Sequence, residues 1–123
     1  MIVLALAVAV AVGLGAALRF ILDGILRRRR PGIVPVGIMF INISGSLLLG
    51  LVAGLATHGL PDEWRVILGT GFLGGYTTFS TAAYDTVMLL QARKTNAALI
   101  TGLGMLIFSV AAAFAGYALG LAL

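Results

Sequence analysis

The chain has 123 residues, 61% of them hydrophobic and 10% charged, with a formal net charge of +4. Soluble domains carry about a quarter charged residues, so this composition indicates a chain whose main solvent is lipid. Cysteine is absent and His58 is the single histidine; this excludes disulfides, thiolate catalysis, Cys-ligated metals and His clusters, and with them most enzyme routes. No nucleic-acid partner is expected.

Four apolar segments, each long enough to cross a hydrocarbon core of about 20 helical residues, follow one another at about 1–26, 33–57, 64–90 and 96–121. They predict one all-α transmembrane domain of four helices. The first has no basic residue before its apolar run, which continues to about Leu26; it reads as a retained membrane helix rather than a signal peptide. Arg19 lies within it, about 12 Å from the basic loop at 1.5 Å per residue. Such an arginine is a candidate anion attractor in an aqueous vestibule, or an ion-pair partner of Asp23 one turn away.

Arg27 to Gly32 break the chain before the second segment, and His58 to Glu63 break it before the third. Pro61 with Asp62 and Glu63 reads as a helix start, because acidic groups favour the positive end of the helix dipole. Small residues recur at four-residue spacing at Ser46, Gly50 and Gly54, at Gly71 and Gly75, and at Gly116 and Gly120. Each set predicts a flat stripe for close helix crossing. Trp64 and Tyr117 read as interfacial anchors, and His58 as a solvated loop residue.

The third segment contains adjacent glycines, Gly74 and Gly75, followed by Thr77, Thr78, Ser80 and Thr81. This is a poor stretch for an unbroken lipid-facing helix, and a break near its middle is expected. Irregular backbone at membrane depth is tolerated only where protein or a cavity shields it, so a break marks a binding site. Freed carbonyls there can bind a cation, and the hydroxyls of Ser80 and Thr81 can donate to an anion. The alternative is a kinked helix whose hydroxyls bond back to the preceding turn.

If all four segments span, the first and third loops share a side and hold Arg27, Arg28, Arg29, Arg30, Arg93 and Lys94, whereas the second holds only Arg65. The positive-inside rule then places loops 27–32 and 91–95 in the cytoplasm and both termini outside an inner (plasma) membrane. The basic cluster also suits anionic lipid headgroups.

Gly74-Gly75-Tyr76-Thr77-Thr78-Phe79-Ser80-Thr81 resembles the Gly-Gly-Phe-Thr-Thr-Phe-Ser-Thr-Phe signature of the Fluc/CrcB fluoride channels. Gly15 to Phe20 is similar to the family's Gly-x-x-x-Arg-Tyr, and Asn42 to Gly50 to its Asn-x-x-Gly-Ser-Phe-x-x-Gly. The resemblance covers essentially the whole chain. It implies passive fluoride export and resistance to fluoride toxicity, through two pores in a dimer of oppositely oriented subunits. It also implies a central structural Na+ held by backbone carbonyls of Gly74 and Thr77, and a pore bordered by Asn42, Phe79, Ser80 and Thr81. Asp85 stands where the family usually has glutamate, at the pore mouth.

Two features depart from the family pattern. Ala82 takes the place of the signature's second phenylalanine, and the fourth helix offers Thr101, Met105 and Ser109 where a tyrosine is usual. Insertion in both orientations needs balanced Lys/Arg, which this chain lacks. The expectation is therefore one half of a heterodimer whose partner supplies the missing aromatic. A homodimeric channel, a non-conducting subunit and a small multidrug transporter are the alternatives. The last depends on a carboxylate within the first helix, where this chain has Arg19.

Overall fold

A computed structural model describes residues Met1–Leu123 and contains helices and no strands. Helix α1 runs over Ile2–Arg29 and α2 over Val36–Ala56. The third crossing begins at Asp62–Arg65, winds as a π-helix over Val66–Leu73 and closes with the turn Gly74–Tyr76; this composite, 62–76, is α3. Helix α4 (Phe79–Gln91) continues the same crossing beyond a two-residue interruption, and α5 spans Thr95–Ala122. Three of these, α1, α2 and α5, are long and apolar enough to cross a membrane singly.

The boundaries follow local chemistry. The expected loop at 27–32 begins later than its basic composition suggested, because Arg27, Arg28 and Arg29 form the last turn of α1. Arginine is a good helix former, and cations there oppose the negative end of the dipole. Pro31 then disfavours helix at Arg30. Pro35 caps α2 and Pro61 caps α3, where their missing N–H groups cost nothing. The α4–α5 turn is a Schellman closure: Arg93 adopts φ 61°, and the N–H groups of Lys94 and Arg93 donate to the carbonyls of Leu89 and Leu90.

Packing relies on backbone approach. A Cβ on Gly50 would fall on the carbonyl oxygen of Ala113, and one on Gly116 would fall on that of Leu47, so α2 and α5 touch main chain to main chain. Gly15 stands in the same relation to the Phe72 carbonyl, and Gly75 to that of Val12, which seats α3 on α1. The small-residue stripes are thus the crossing points. The buried core is correspondingly slight, formed by Ile38, Ile41, Leu73, Tyr76 and Met105. Large apolar side chains such as Leu6, Ile21, Phe40, Phe108 and Phe114 point outward, as they do when lipid is the surrounding medium.

Gly50→Ala is expected to destabilise the fold by about 1–3 kcal/mol through overpacking. Gly13→Ala meets open space and is expected to leave stability unchanged to within about 0.5 kcal/mol. Reversible unfolding in detergent, followed by helical circular dichroism, compares the two.

Candidate functional site

The interruption falls at Thr77 and Thr78, which are extended with φ −82°, ψ 158° and φ −150°, ψ 121°. It does not fall at the adjacent glycines. Gly74 and Gly75 stay helical, and Gly75 serves the close approach to α1. A threonine fits the break because its hydroxyl can replace a backbone partner. Thr78 caps α4, its Oγ1 accepting the N–H of Thr81 at 3.3 Å, while Thr77 ends α3 with its hydroxyl donating to the Leu73 carbonyl at 2.9 Å.

The break is held from α2. The Thr78 N–H donates to Asn42 Oδ1 at 2.8 Å, and Asn42 Nδ2 donates to the Thr78 carbonyl at 2.8 Å. The asparagine amide thereby takes both backbone hydrogen bonds of one residue, as a neighbouring antiparallel strand would. Three residues on, Gly45 leaves room for the Thr77 methyl and the Tyr76 ring. The Tyr76 hydroxyl in turn lies 3.0 Å from Ser44 Oγ.

These bonds divert two donors. An unbroken helix would direct the Thr78 N–H to the Gly74 carbonyl and the Thr81 N–H to the Thr77 carbonyl. Here the first goes to Asn42 and the second to Thr78 Oγ1. Gly74 and Thr77 are the two positions whose carbonyls the family resemblance implies for a central cation. Backbone oxygens released in this way suit a hard cation, so the donor set fits Na+.

Beside the break, α2, α3, α4 and α5 enclose a groove of about 580 Å³ whose lining includes Asn42, Ser46, Thr77, Thr78, Phe79, Ala82, Thr101, Met105 and Ser109. Phe79 is 87% exposed, so its ring projects from the body of the subunit into open space. The hydroxyls of Ser80 and Thr81 gather around Thr78 Oγ1 at 3.2 and 3.3 Å. The Thr101 and Ser109 hydroxyls are buried without a hydrogen-bond partner. Their spacing along α5, with Met105 between them, was readable in the sequence, but their orphaned state was not.

Arg19 and Asp85 lie outside this groove. The expected alternative for Arg19, an ion pair with Asp23, does not form: Asp23 accepts from Arg27 Nε at 3.0 Å, and Arg19 Nε is buried without a partner. An acid preceding a base by four residues is the better orientation on a helix, and Asp23 has that relation to Arg27 and the reverse one to Arg19. Asp85 approaches the same Arg27 at 3.8 Å and lines a second, more polar cavity of about 430 Å³ with Arg27, Arg30 and Lys94. His58 is exposed as expected, with Nε2 2.8 Å from the Leu121 carbonyl.

Residues 6–117 match the family model described as CrcB-like protein, Camphor Resistance (CrcB). The chain is 57% identical over 121 residues to the fluoride-specific ion channel FluC 1 of Leifsonia xyli, covering 98% of this chain and 87% of that protein. It is 43% identical over 110 residues to FluC 2 of Cutibacterium acnes, covering 88% and 89%. With FluC of Thermococcus kodakarensis, also named a fluoride-specific ion channel, it shares 39% identity over 118 residues, covering 94% of both.

Replacing Asn42 by leucine keeps the volume but strands both hydrogen-bonding groups of Thr78 in the interior. The expected loss of stability is about 2–4 kcal/mol, the cost of two unsatisfied buried polar groups. Amide hydrogen exchange at Thr78 is expected to accelerate with it; an unchanged rate at that amide would show that Asn42 does not hold the break.

Proposed function

The chain belongs to the CrcB-like protein family, and we propose that it is a subunit of a fluoride-selective channel of the membrane, giving passive fluoride export and resistance to fluoride toxicity. The observation that carries this reading is the interruption at Thr77–Thr78, clasped by Asn42 beside a groove with orphaned hydroxyls. A helix opened at membrane depth presents polar groups where water is excluded, and the relatives named above are fluoride-specific ion channels.

Conduction needs binding that is favourable yet weak. In this reading Phe79 offers the electropositive edge of its ring to the anion, a contact that lacks the full charge that would trap it. Thr101 and Ser109 within the groove, and Ser80 and Thr81 around Thr78 beside it, supply hydroxyls in place of hydration water, and Asn42 contributes its amide. Hydrogen fluoride enters cells neutral and ionises inside, and a negative interior then drives the anion outward through such a route. Arg19 and Asp85 belong to the approaches, Arg19 as an attractor of anions and Asp85 at the mouth.

The exposed Phe79 ring and the open groove suit an oppositely oriented second subunit, so that two pores form per dimer. Gly74 and Thr77 carbonyls from each subunit would then hold a central Na+, which supplies fixed positive charge and ties the two interrupted crossings together. Ala82 lines the groove where an aromatic is missing, and six basic residues in and beside the first and third connections face one, Arg65, beside the second. Both features favour a heterodimer in which this subunit inserts with loops 27–32 and 91–95 in the cytoplasm, its termini outside, and its partner in the reverse sense.

Purified protein in liposomes is expected to release fluoride and retain chloride, with its partner subunit present if the heterodimer is required. Phe79→Ile is expected to reduce efflux to background in a folded protein; undiminished flux removes Phe79 from the pore. Tags at both termini are expected to label from outside in intact cells. Labelling of comparable populations from both sides would instead identify a homodimer of dual topology.

A further inference from the structure

Asn42 has one amide hydrogen left after its two bonds to Thr78, and that hydrogen meets a thioether: Nδ2 lies 3.1 Å from Met105 Sδ. The Thr78 bonds cannot be given up without unmaking the break, because they satisfy both backbone groups of a buried residue. Any anion that Asn42 serves must therefore use the hydrogen now turned to Met105. Sulfur is a weak acceptor, and methionine has three rotatable bonds with which to withdraw. Met105 is buried within the subunit, borders the groove, and sits one turn from each of the unpartnered hydroxyls of Thr101 and Ser109.

We propose that Met105 is a placeholder for the transported anion: its sulfur takes the second amide hydrogen of Asn42 and yields it to a dehydrated fluoride. The inference rests on the channel reading above and adds a specificity-determining residue to it. A stronger acceptor at this position would compete with the anion. No acceptor at all would leave the amide hydrogen free and hold the anion more tightly. A thioether lies between, sparing the interior an unsatisfied donor while giving way to a compact anion with concentrated charge. Larger anions, with more diffuse charge and weaker acceptor strength, displace it less readily.

The test uses the channel in detergent, titrated with sodium fluoride and with sodium chloride, reading thermal stabilisation and the 15N-resolved side-chain amide of Asn42. In the unmodified channel one Asn42 amide proton is expected to move with fluoride while the proton bonded to Thr78 stays, and chloride moves neither. Met105→Leu is expected to lower the half-saturating fluoride concentration about fivefold, the scale of one weak hydrogen bond. Met105→Gln is expected to raise it by a similar factor. An Asn42 amide that ignores fluoride in a channel stabilised by fluoride overturns the proposal even if both variants fail to fold, and so do variants that titrate like the unmodified channel. A channel that fluoride neither stabilises nor crosses overturns the channel reading itself, and this inference with it.

Discussion

A side-chain amide standing in for a peptide neighbour is the interaction on which the rest of this structure depends. In lipid no water is available to satisfy a backbone group that leaves the helical ladder. The chain can leave it at Thr77 and Thr78 only because Asn42 returns both bonds to Thr78, at 2.8 Å each. Thr78 Oγ1 then meets the Thr81 N–H and starts the ladder again. The interruption is thus short, capped on the α4 side and braced from α2. What it leaves exposed is a small set of carbonyls and hydroxyls beside a groove.

That brace must be held in register, and the glycine crossings provide this. Main-chain contact between α2 and α5 at Gly50 and Gly116 fixes the height of Asn42 relative to Met105, while Gly15 and Gly75 fix α3 against α1. Side-chain packing alone would give a softer arrangement, because apolar side chains gain little by leaving lipid for one another. The division of labour is clear in the third crossing. Its glycines bring helices together, and its threonines take the helix apart.

Most of the charge is gathered at one end, the Asp62–Arg65 pair at the start of α3 standing apart. Asp23, Arg27 and Asp85 form a cluster at the base of α1 and α4, away from the groove that holds Asn42, Phe79 and Met105. The groove itself is lined by neutral polar groups and apolar walls. A full charge within it would bind an ion too firmly to release it, so a neutral lining is what the proposed conduction requires.

Much of this was legible in the residues. Hydropathy and the loop punctuation at Arg27 to Gly32, His58 to Glu63 and Gln91 to Thr95 delimited four helical segments, because a hydrocarbon core demands a fixed length of apolar chain. Four-residue spacing of small residues marked the crossing points, and Gly74 to Thr81 marked the interrupted helix. What remained hidden was decided between elements far apart in sequence. Within Gly74 to Thr81 the break falls at Thr77–Thr78 because Asn42, 36 residues earlier, reaches the backbone of Thr78. Asp23 pairs with Arg27 rather than Arg19, in the acid-before-base order that a helix favours, and Asp85, on another helix, approaches the same Arg27. Met105 became a partner of Asn42 across 63 residues, a relation no local pattern carries. Periodicity and length are one-dimensional consequences of helix and bilayer geometry, so the sequence determined them alone; which polar group satisfies which depends on distances set only when the helices pack, so tertiary structure decided it.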